Sequence, residues 1–168
     1  MEFSNRAFYQ GRLEAPPSRG NSPSGYRPIE YLDADGRYDR RTNRKVALLL
    51  VERLRGFWRD GGTSPTLGVV TFNQPQRELI EDLIEEECHR DEAFGERYQA
   101  ELARKQGNQD VGFFVKNLEN VQGDERDVMI FSTTFGPDAE GRFYRRFGPV
   151  GAEGGERRLN VAITRAKR

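Results

Sequence analysis

Leu67-Gly68-Val69-Val70-Thr71-Phe72 is a short apolar run rich in β-branched residues, and Asn73-Gln74-Pro75 follows it directly. A run of this kind between turn signals is typical of a strand whose two faces are both buried. Asparagine and proline at this spacing favour the start of a helix, because asparagine caps free N–H groups and proline fits the first turn. The stretch therefore predicts a buried strand that leads into a helix.

Apolar spacing predicts further elements on both sides of this stretch. Before it lie an edge strand at residues 29–32 and an amphipathic helix from Thr42 to the Gly61-Gly62 pair. The helix that begins at Asn73-Gln74-Pro75 extends to Cys88. After it follow strands at residues 111–115 and 127–133 and a closing helix. Helices that alternate with short buried strands are typical of a parallel sheet. We predict an α/β fold with a mainly parallel sheet flanked by helices.

The 168 residues have the length of one domain, and two complete domains would not fit. Residues 11–40 are rich in proline, glycine and serine and show almost no apolar periodicity, so we predict that residues 1–40 form an arm that is partly extended or disordered. Residues 41–168 are predicted to form the folded domain.

Composition excludes several classes of protein. Lys plus Arg and Asp plus Glu number 27 each, so bulk charge indicates no nucleic-acid or membrane partner, and any basic site must be local. One cysteine and one histidine, Cys88 and His89, leave no disulfide framework, no His-based metal cluster and no Ser/His/Asp triad. No apolar run approaches the roughly 18 residues of a membrane span. We predict a soluble protein without a membrane partner, cytoplasmic or, in a bacterium, nucleoid-associated.

The chain closes on a basic segment, Arg157-Arg158-Leu159-Asn160-Val161-Ala162-Ile163-Thr164-Arg165-Ala166-Lys167-Arg168. At helical spacing, Leu159, Ala162, Ile163 and Ala166 form a buried stripe, Asn160 and Thr164 share an exposed face, and Arg165 lies at the border. The planar guanidinium of arginine stays charged and matches phosphate oxygens. The alternative is a basic helix end that only complements its own dipole.

This segment resembles, almost residue for residue, motif VI of superfamily 1 helicases of the nonsense-mediated-decay type. The resemblance implies that Arg165 reaches the γ-phosphate of ATP from a second domain. It also implies single-strand contacts by Asn160 and Thr164. Two further helicase motifs occur upstream in the expected order.

The segment Thr71-Phe72-Asn73-Gln74-Pro75-Gln76-Arg77 lies where a strand ends and a helix begins, the usual place for ligands in open α/β sheets. It is similar to motif IV, with Thr71, Gln76 and Arg77 matching, while Phe72 and Asn73 replace the Pro and Tyr that are frequent there. The resemblance implies that Gln76 and Arg77 lie at the nucleotide phosphates and that Thr71 meets the nucleic acid. The alternative for Arg77 is an ordinary surface arginine in a first helical turn.

The segment 115–127 resembles motif V through Gln122, Gly123 and Glu125. The resemblance implies that these three residues lie beside the nucleotide and that Asn117, where many members have Ser or Thr, contacts the nucleic-acid backbone. Ser132, directly after the next strand, is similar to a further strand-contacting position. The alternative is a glycine turn between two strands, with surface charges.

Together, the three motifs identify a RecA-like helicase domain 2 with a P-loop NTPase-type fold, cut close to motif VI. A Gly-x-x-x-x-Gly-Lys-Ser/Thr phosphate loop and its acidic Mg²⁺-binding partner are absent from the 168 residues. The resemblance therefore implies an ATP-dependent superfamily 1 DNA/RNA helicase in which ATP and Mg²⁺ are bound mainly by a first RecA-like domain of the same polypeptide. Arg77 and Arg165 are the catalytic candidates, the partner is single-stranded DNA or RNA, and the isolated chain is predicted to be inactive.

A second hypothesis has a different functional class. It makes the chain a non-catalytic helicase-like α/β module that binds a protein or a nucleic acid. Under it, Arg165 is dispensable. The two hypotheses differ in whether a phosphate loop and an acidic pair lie upstream in the same reading frame.

Overall fold

The structure is a computed structural model that describes residues 29–59, 64–143 and 150–166. Its elements, in chain order, are α1 (Arg44–Arg59), β1 (Leu67–Thr71), α2 (Gln74–Arg90), α3 (Glu92–Leu102), β2 (Lys105–Gln106), β3 (Gln109–Asp110), β4 (Phe114–Asn117), a 3₁₀ turn (Leu118–Asn120), β5 (Val128–Ser132) and α4 (Gly155–Ile163). Most of the predicted arm, residues 1–28, lies outside this description, as do Lys167 and Arg168.

The central sheet has three strands in the order β4–β1–β5, and both pairings are parallel. Val69 in the middle strand stands opposite Val115 on one side and Ile130 on the other. A parallel neighbour requires a long connection across one face of the sheet, which is why helices separate these strands in the sequence. The prediction of an α/β fold with a parallel sheet flanked by helices is confirmed.

Both faces of the sheet are covered. Successive strand residues point to opposite faces, so Val69 packs with Leu54 of α1 and Ile80 of α2, whereas Val70 packs with Ala162 of α4. All five residues of β1 are buried as a result. The first face carries α1, α2 and α3, and the second carries α4 together with the 3₁₀ turn.

The helix after β1 starts as predicted. The Asn73 side chain accepts a hydrogen bond from the Gln76 N–H at 2.9 Å, and a proline occupies the first turn. Because this cap follows the last residue of β1 so closely, the first turn of α2 is held at the carboxyl end of the sheet.

Three predictions about the elements are corrected. Residues 29–32 form no strand, and Ile29 and Tyr31 are largely exposed, so no sheet edge pairs with them in the described part of the chain. The strand predicted at 111–115 begins only at Phe114. The polar stretch before it contains an unpredicted helix, α3, and the short β2–β3 hairpin.

Helix α3 is stabilised by a buried carboxylate that composition alone does not reveal. Glu101 is 3% exposed and forms ion pairs with Arg97 at 2.7 Å and Arg104 at 3.1 Å, while Ser64 donates to it at 3.1 Å. A buried charge requires such partners. Within residues 29–59, 64–143 and 150–166, no helix is both long and apolar enough to cross a membrane.

Candidate functional site

The carboxyl ends of the three parallel strands carry a row of polar residues. Thr71 of β1 stands opposite Asn117 of β4 and Ser132 of β5. The Thr71 hydroxyl donates to Asn117 Oδ1 at 2.8 Å, and Asn117 Nδ2 donates to Gln74 Oε1 at 2.8 Å. Thr71 and Ser132 are buried, so Asn117, which is partly exposed, is the member of this row that a ligand can reach.

Gln76 is fully buried, and its side chain is saturated with hydrogen bonds inside the protein. Its Oε1 accepts from the Asn43 N–H at 2.7 Å, and its Nε2 donates to the Asn43 carbonyl at 3.2 Å and to Ser132 Oγ at 3.2 Å. These bonds join the start of α1, the start of α2 and the end of β5. The structure therefore places Gln76 and Ser132 in the framework, and the predicted ligand contact of each stays untested.

Arg77, the next residue of α2, pairs with a side chain of its own helix. Its side chain is 29% exposed, and its Nε lies 3.5 Å from Glu81 Oε2, one turn along α2. Partial burial raises the pKa of Glu81 above its ordinary value, and neighbouring carboxylates on α2 add to the rise, although Arg77 lowers it. This i,i+4 ion pair with Glu81 restrains the Arg77 guanidinium.

The loop before β5 exposes its predicted site residues between two buried anchors. Gln122, Gly123 and Glu125 are exposed, while Val121 on one side and Arg126 on the other are buried. Gly123 has a φ of +89°, a conformation that side-chain-bearing residues rarely adopt, and the space around its Cα is open. The loop leaves room for a ligand at this backbone position.

Arg126 fastens this loop to the sheet. Its Nε and Nη2 both donate to the Gly112 carbonyl, at 2.9 and 2.7 Å, and its Nη1 donates to the Glu125 carbonyl at 2.9 Å. The guanidinium lies 4.8 Å from the centre of the Phe114 ring. Burial lowers the pKa of Arg126 from its ordinary value. The fork holds Glu125 by its backbone carbonyl, so the Glu125 carboxylate takes no part in this anchor.

The end of α4 reaches the same loop. Arg165 Nη1 lies 3.7 Å from Glu125 Oε1, and Arg165 Nε donates to the Val161 carbonyl at 3.0 Å. The Arg126 N–H donates to the Arg165 carbonyl at 3.2 Å, and Arg126 also forms a parallel bridge with Ala166. The structure thus brings together Glu125 and Arg165, two predicted nucleotide-contacting residues from different motifs.

The predicted residues fall into two separate groups. Thr71, Gln76, Asn117 and Ser132 lie at the carboxyl end of the sheet, while Glu125 and Arg165 lie before the start of β5. The five residues of β5 separate the groups, a span of about 16 Å. Arg77 belongs to the first group, so the structure does not bring the two candidate catalytic arginines together.

One prediction in α4 is corrected. Asn160 was expected on an exposed face, but it is only 4% exposed. The helix packs against the 3₁₀ turn as well as the sheet, so its buried face is wider than the stripe of apolar residues indicates. Thr164 is half-buried at the helix end, where its hydroxyl donates to the Val161 carbonyl at 2.9 Å.

Asn43 and Thr134 complete the carboxyl-end group, and both were missed. Asn43 is buried, and its side chain caps α1 through the Val46 N–H at 3.3 Å and donates to the Thr134 carbonyl at 3.4 Å. Thr134 is buried with a φ of +69°. An asparagine before an apolar helical pattern signals a cap, so Asn43 was detectable in the sequence. Nothing local signals the conformation of Thr134.

The described ranges contain no group of three or more His, Cys, Asp or Glu side chains that could hold a metal ion.

Comparison with known proteins shows a family relationship over the whole chain. The model of the AAA domain family (AAA_12) matches residues 1–168. An uncharacterized ATP-dependent helicase of Mycoplasma pneumoniae, the MG140 homolog, is 41% identical over 133 residues, and the ATP-dependent helicase MG140 of Mycoplasma genitalium, also uncharacterized, is 39% identical over 133 residues. Both alignments cover 79% of this chain and 11% of the relative, so the chain spans about a tenth of the length of these relatives. The α/β fold with its parallel sheet agrees with a RecA-like domain in this family. The chain belongs to the AAA domain family, and the relatives it matches carry the name ATP-dependent helicase.

Proposed function

We propose that this chain is the second RecA-like domain of a superfamily 1 ATP-dependent DNA/RNA helicase of the nonsense-mediated-decay branch. In this proposal Arg165 acts on ATP that is held mainly by a first RecA-like domain of the same polypeptide. The observation that carries it is the Glu125–Arg165 pair at 3.7 Å, which joins two predicted nucleotide-contacting residues on an accessible surface.

The chemistry of this pair suits a phosphate group. The side chain of Arg165 is 23% exposed and that of Glu125 is 53% exposed, so a ligand can reach both. A guanidinium offers five N–H donors, and among the described residues Nε donates to a backbone carbonyl while Nη1 lies 3.7 Å from Glu125 Oε1. When Mg²⁺ and ATP are bound, they supply the scissile phosphate and part of the charge that balances it.

Glu125 holds Arg165 in place until a phosphate competes for it. At 3.7 Å the pair is an ion pair without a short hydrogen bond, and exposure screens it, so exchange of the carboxylate for a phosphate oxygen costs little. The guanidinium then stabilises the negative charge that develops during phosphoryl transfer, an effect of about 10³-fold or more in rate in related chemistry. Arg126 keeps both residues in position through the backbone.

The strand-binding part of the proposal has its best support at Asn117. This side chain is partly exposed, and its amide donates to Gln74, which is itself exposed. Thr71, on the neighbouring strand, donates to Asn117 at 2.8 Å, and half-buried Thr164 is adjacent in sequence to Arg165. Buried Ser132 and Asn160 support a direct contact less well, because a strand would have to displace protein to reach them.

ATP turnover by the natural protein, with and without single-stranded DNA or RNA, tests the proposal. Turnover stimulated by the strand is expected to fall by about 10³-fold in Arg165→Ala. Arg53→Ala is a matched control because it also removes an exposed arginine from a surface ion pair, with Glu30 at 3.3 Å, and it is expected to leave turnover unchanged. Equal turnover in wild type and Arg165→Ala, or none in either, would favour the non-catalytic binding module.

A further inference from the structure

A cavity of about 840 Å³ lies beside the start of α1, away from the Glu125–Arg165 pair. Four cationic side chains line it, those of Arg37, Arg40, Arg44 and Lys45. Three acidic residues also line it, Asp39, Asp138 and Glu140, and Arg142 beside the cavity binds the last two at 3.0 and 2.9 Å. With Arg142 counted, five cations face three carboxylates, so the cavity carries an excess of positive charge in a protein whose overall charge is balanced.

Several of these cations are available to a ligand. In the described ranges Arg37, Arg40 and the adjoining Arg41 take part in no ion pair. Arg44 lies 4.0 Å from Glu86, and Lys45 lies 3.9 Å from Asp35, with all four side chains more than half exposed. Exposed pairs at such distances contribute little, so an anion can compete for both cations.

The backbone presents two of the arginines in an unusual way. A tight turn is closed by the Asp39 N–H to Thr42 carbonyl bond at 2.9 Å and the reverse bond at 2.7 Å. Its two central residues, Arg40 and Arg41, have φ angles of +45° and +69°. Turns that need positive φ at both positions normally contain Asn and Gly, because other side chains are strained there. Arginine in both positions places two long cations at one tip at the expense of stability, a pattern common at ligand-binding segments.

The turn rests on a rigid base. Tyr38 N–H donates to the Pro137 carbonyl at 2.9 Å, and Asn43, immediately after the turn, is buried in the Gln76 network. The chain segments behind the cavity are closely packed, since a Cβ on Gly136 would lie 2.5 Å from the Gly36 carbonyl oxygen. The arginines therefore project from a fixed support, which lowers the entropy lost when they bind.

We infer that the cavity lined by Arg37, Arg40, Arg44 and Lys45, together with the Arg40-Arg41 turn, binds phosphate groups of a single-stranded nucleic acid. Cations spread over one groove suit the repeating phosphates of a strand, to which arginine offers its planar fork. The cavity joins the carboxyl end of the sheet through Thr134 and Pro137, the same end at which Asn117 is exposed. The inference rests on the proposed function for its ligand, and adds a strand contact outside the three helicase motifs.

The test uses Arg40→Asn/Arg41→Gly in the natural protein. This variant removes two charges while giving the turn the residues its backbone favours, so its melting temperature is expected to stay equal or rise. Binding of fluorescein-labelled oligothymidylate or oligouridylate is measured by anisotropy over a range of salt concentrations. We expect about a tenfold weaker affinity near physiological salt, and a log–log salt slope smaller in magnitude by about 1.4, because each phosphate contact on a single strand contributes about 0.7.

The matched control is Arg59→Gln/Lys105→Gln, which removes the same charge from two exposed residues at the far end of α1 and in the β2–β3 hairpin. The 16 residues of α1 place Arg59 about 24 Å from the turn. The control is expected to change affinity less than about twofold, since distant charges act only through a screened field.

Each other outcome overturns a stated part of the account. Equal affinity and salt slope in wild type and Arg40→Asn/Arg41→Gly would overturn the inference and leave the proposed function standing. Weaker binding of a fluorescent ATP analogue with unchanged strand binding would make the cavity a nucleotide site and also overturn it. A wild-type protein that binds no strand would remove both this inference and the strand-binding part of the proposed function.

Discussion

The Gln76 network and the Glu125–Arg165 pair both contain residues predicted to touch the nucleotide, yet the fold treats them in opposite ways. Gln76 is fully buried, and three hydrogen bonds within the protein use its side chain. Glu125 and Arg165 are accessible and meet at only 3.7 Å. Motif resemblance marks a region that matters, and burial then separates the residues that build the site from those that can meet a ligand.

The comparison assigns stability to one group and activity to the other. When a buried hydrogen-bonding group is removed, its former partners lose a hydrogen bond that water cannot replace. This lowers the free energy of unfolding much more than the loss of an exposed ion pair does. Variants of the first group should therefore change mainly the free energy of unfolding, and variants of the second mainly ATP turnover. They are described from the largest expected change in stability to the smallest.

The largest loss of stability is expected for Gln76→Ala. The change removes the hydrogen-bond partner of three buried groups, the Asn43 N–H, the Asn43 carbonyl and Ser132 Oγ. We therefore expect the free energy of unfolding in urea to be about 3 kcal/mol lower. Gln74→Ala is the control, because Gln74 is an exposed glutamine in the same helical turn with bonds to Glu78 and Asn117. It should cost below about 1 kcal/mol. Equal losses in the two variants would contradict the framework role.

A smaller loss is expected for Arg126→Met, which keeps the side-chain bulk and removes the fork. The Gly112 carbonyl loses two donors and the Phe114 ring loses a cation. We therefore expect the free energy of unfolding, measured in urea, to fall by about 2 kcal/mol. Lys116→Met is the matched control. Lys116 lies 4.9 Å from the centre of the same ring but pairs with Asp124 in a more exposed setting, and it should cost below about 1 kcal/mol.

Arg126→Met also sharpens the comparison through activity. Arg126 positions Glu125 and Arg165 through the backbone, so turnover per folded molecule should fall, with the rate at saturating ATP affected more than the apparent affinity. Full turnover in a folded Arg126→Met protein would show that the loop needs no such anchor.

The smallest effect is expected at the Arg77–Glu81 pair. Burial raises the folded-state pKa of Glu81 above its ordinary value of 4.5, so the folded protein holds this proton more tightly than the unfolded chain does. The contribution of Glu81 to stability therefore declines as pH rises above that ordinary pKa. Relative to Glu81→Gln, wild type should therefore lose stability between weakly acidic and neutral pH. Urea unfolding midpoints of the two proteins at weakly acidic and at neutral pH measure this difference. A wild type that gains stability with rising pH relative to Glu81→Gln would contradict the raised pKa of Glu81.

Periodicity was sufficient for the parts of the fold that bury apolar side chains. The β1 run is buried on both faces, and its neighbours pair in parallel as expected. Helix α3 was missed because it has few apolar residues and because one of its buried side chains is a carboxylate, that of Glu101, which two arginines neutralise. The apolar spacing at residues 29–32 predicts a strand, but a strand needs a neighbouring strand to pair with, and local sequence does not provide one.

The site was predictable residue by residue but not as an arrangement. Motif resemblance selected Glu125 and Arg165, and the structure brings these two together. It also selected Gln76, whose partner Asn43 lies 33 positions away and carries no motif. Exposure and pairing of this kind depend on how distant elements pack, which local spacing does not encode.

The most direct test of the account compares Arg165→Ala with Gln76→Ala in strand-stimulated ATP turnover per folded molecule, with the folded fraction taken from urea unfolding of the same samples. The account predicts that turnover falls by about 10³-fold in Arg165→Ala and less than about tenfold in Gln76→Ala. Turnover that survives in Arg165→Ala, or that is lost from folded Gln76→Ala to the same degree, would contradict the division between an accessible catalytic pair and a buried framework.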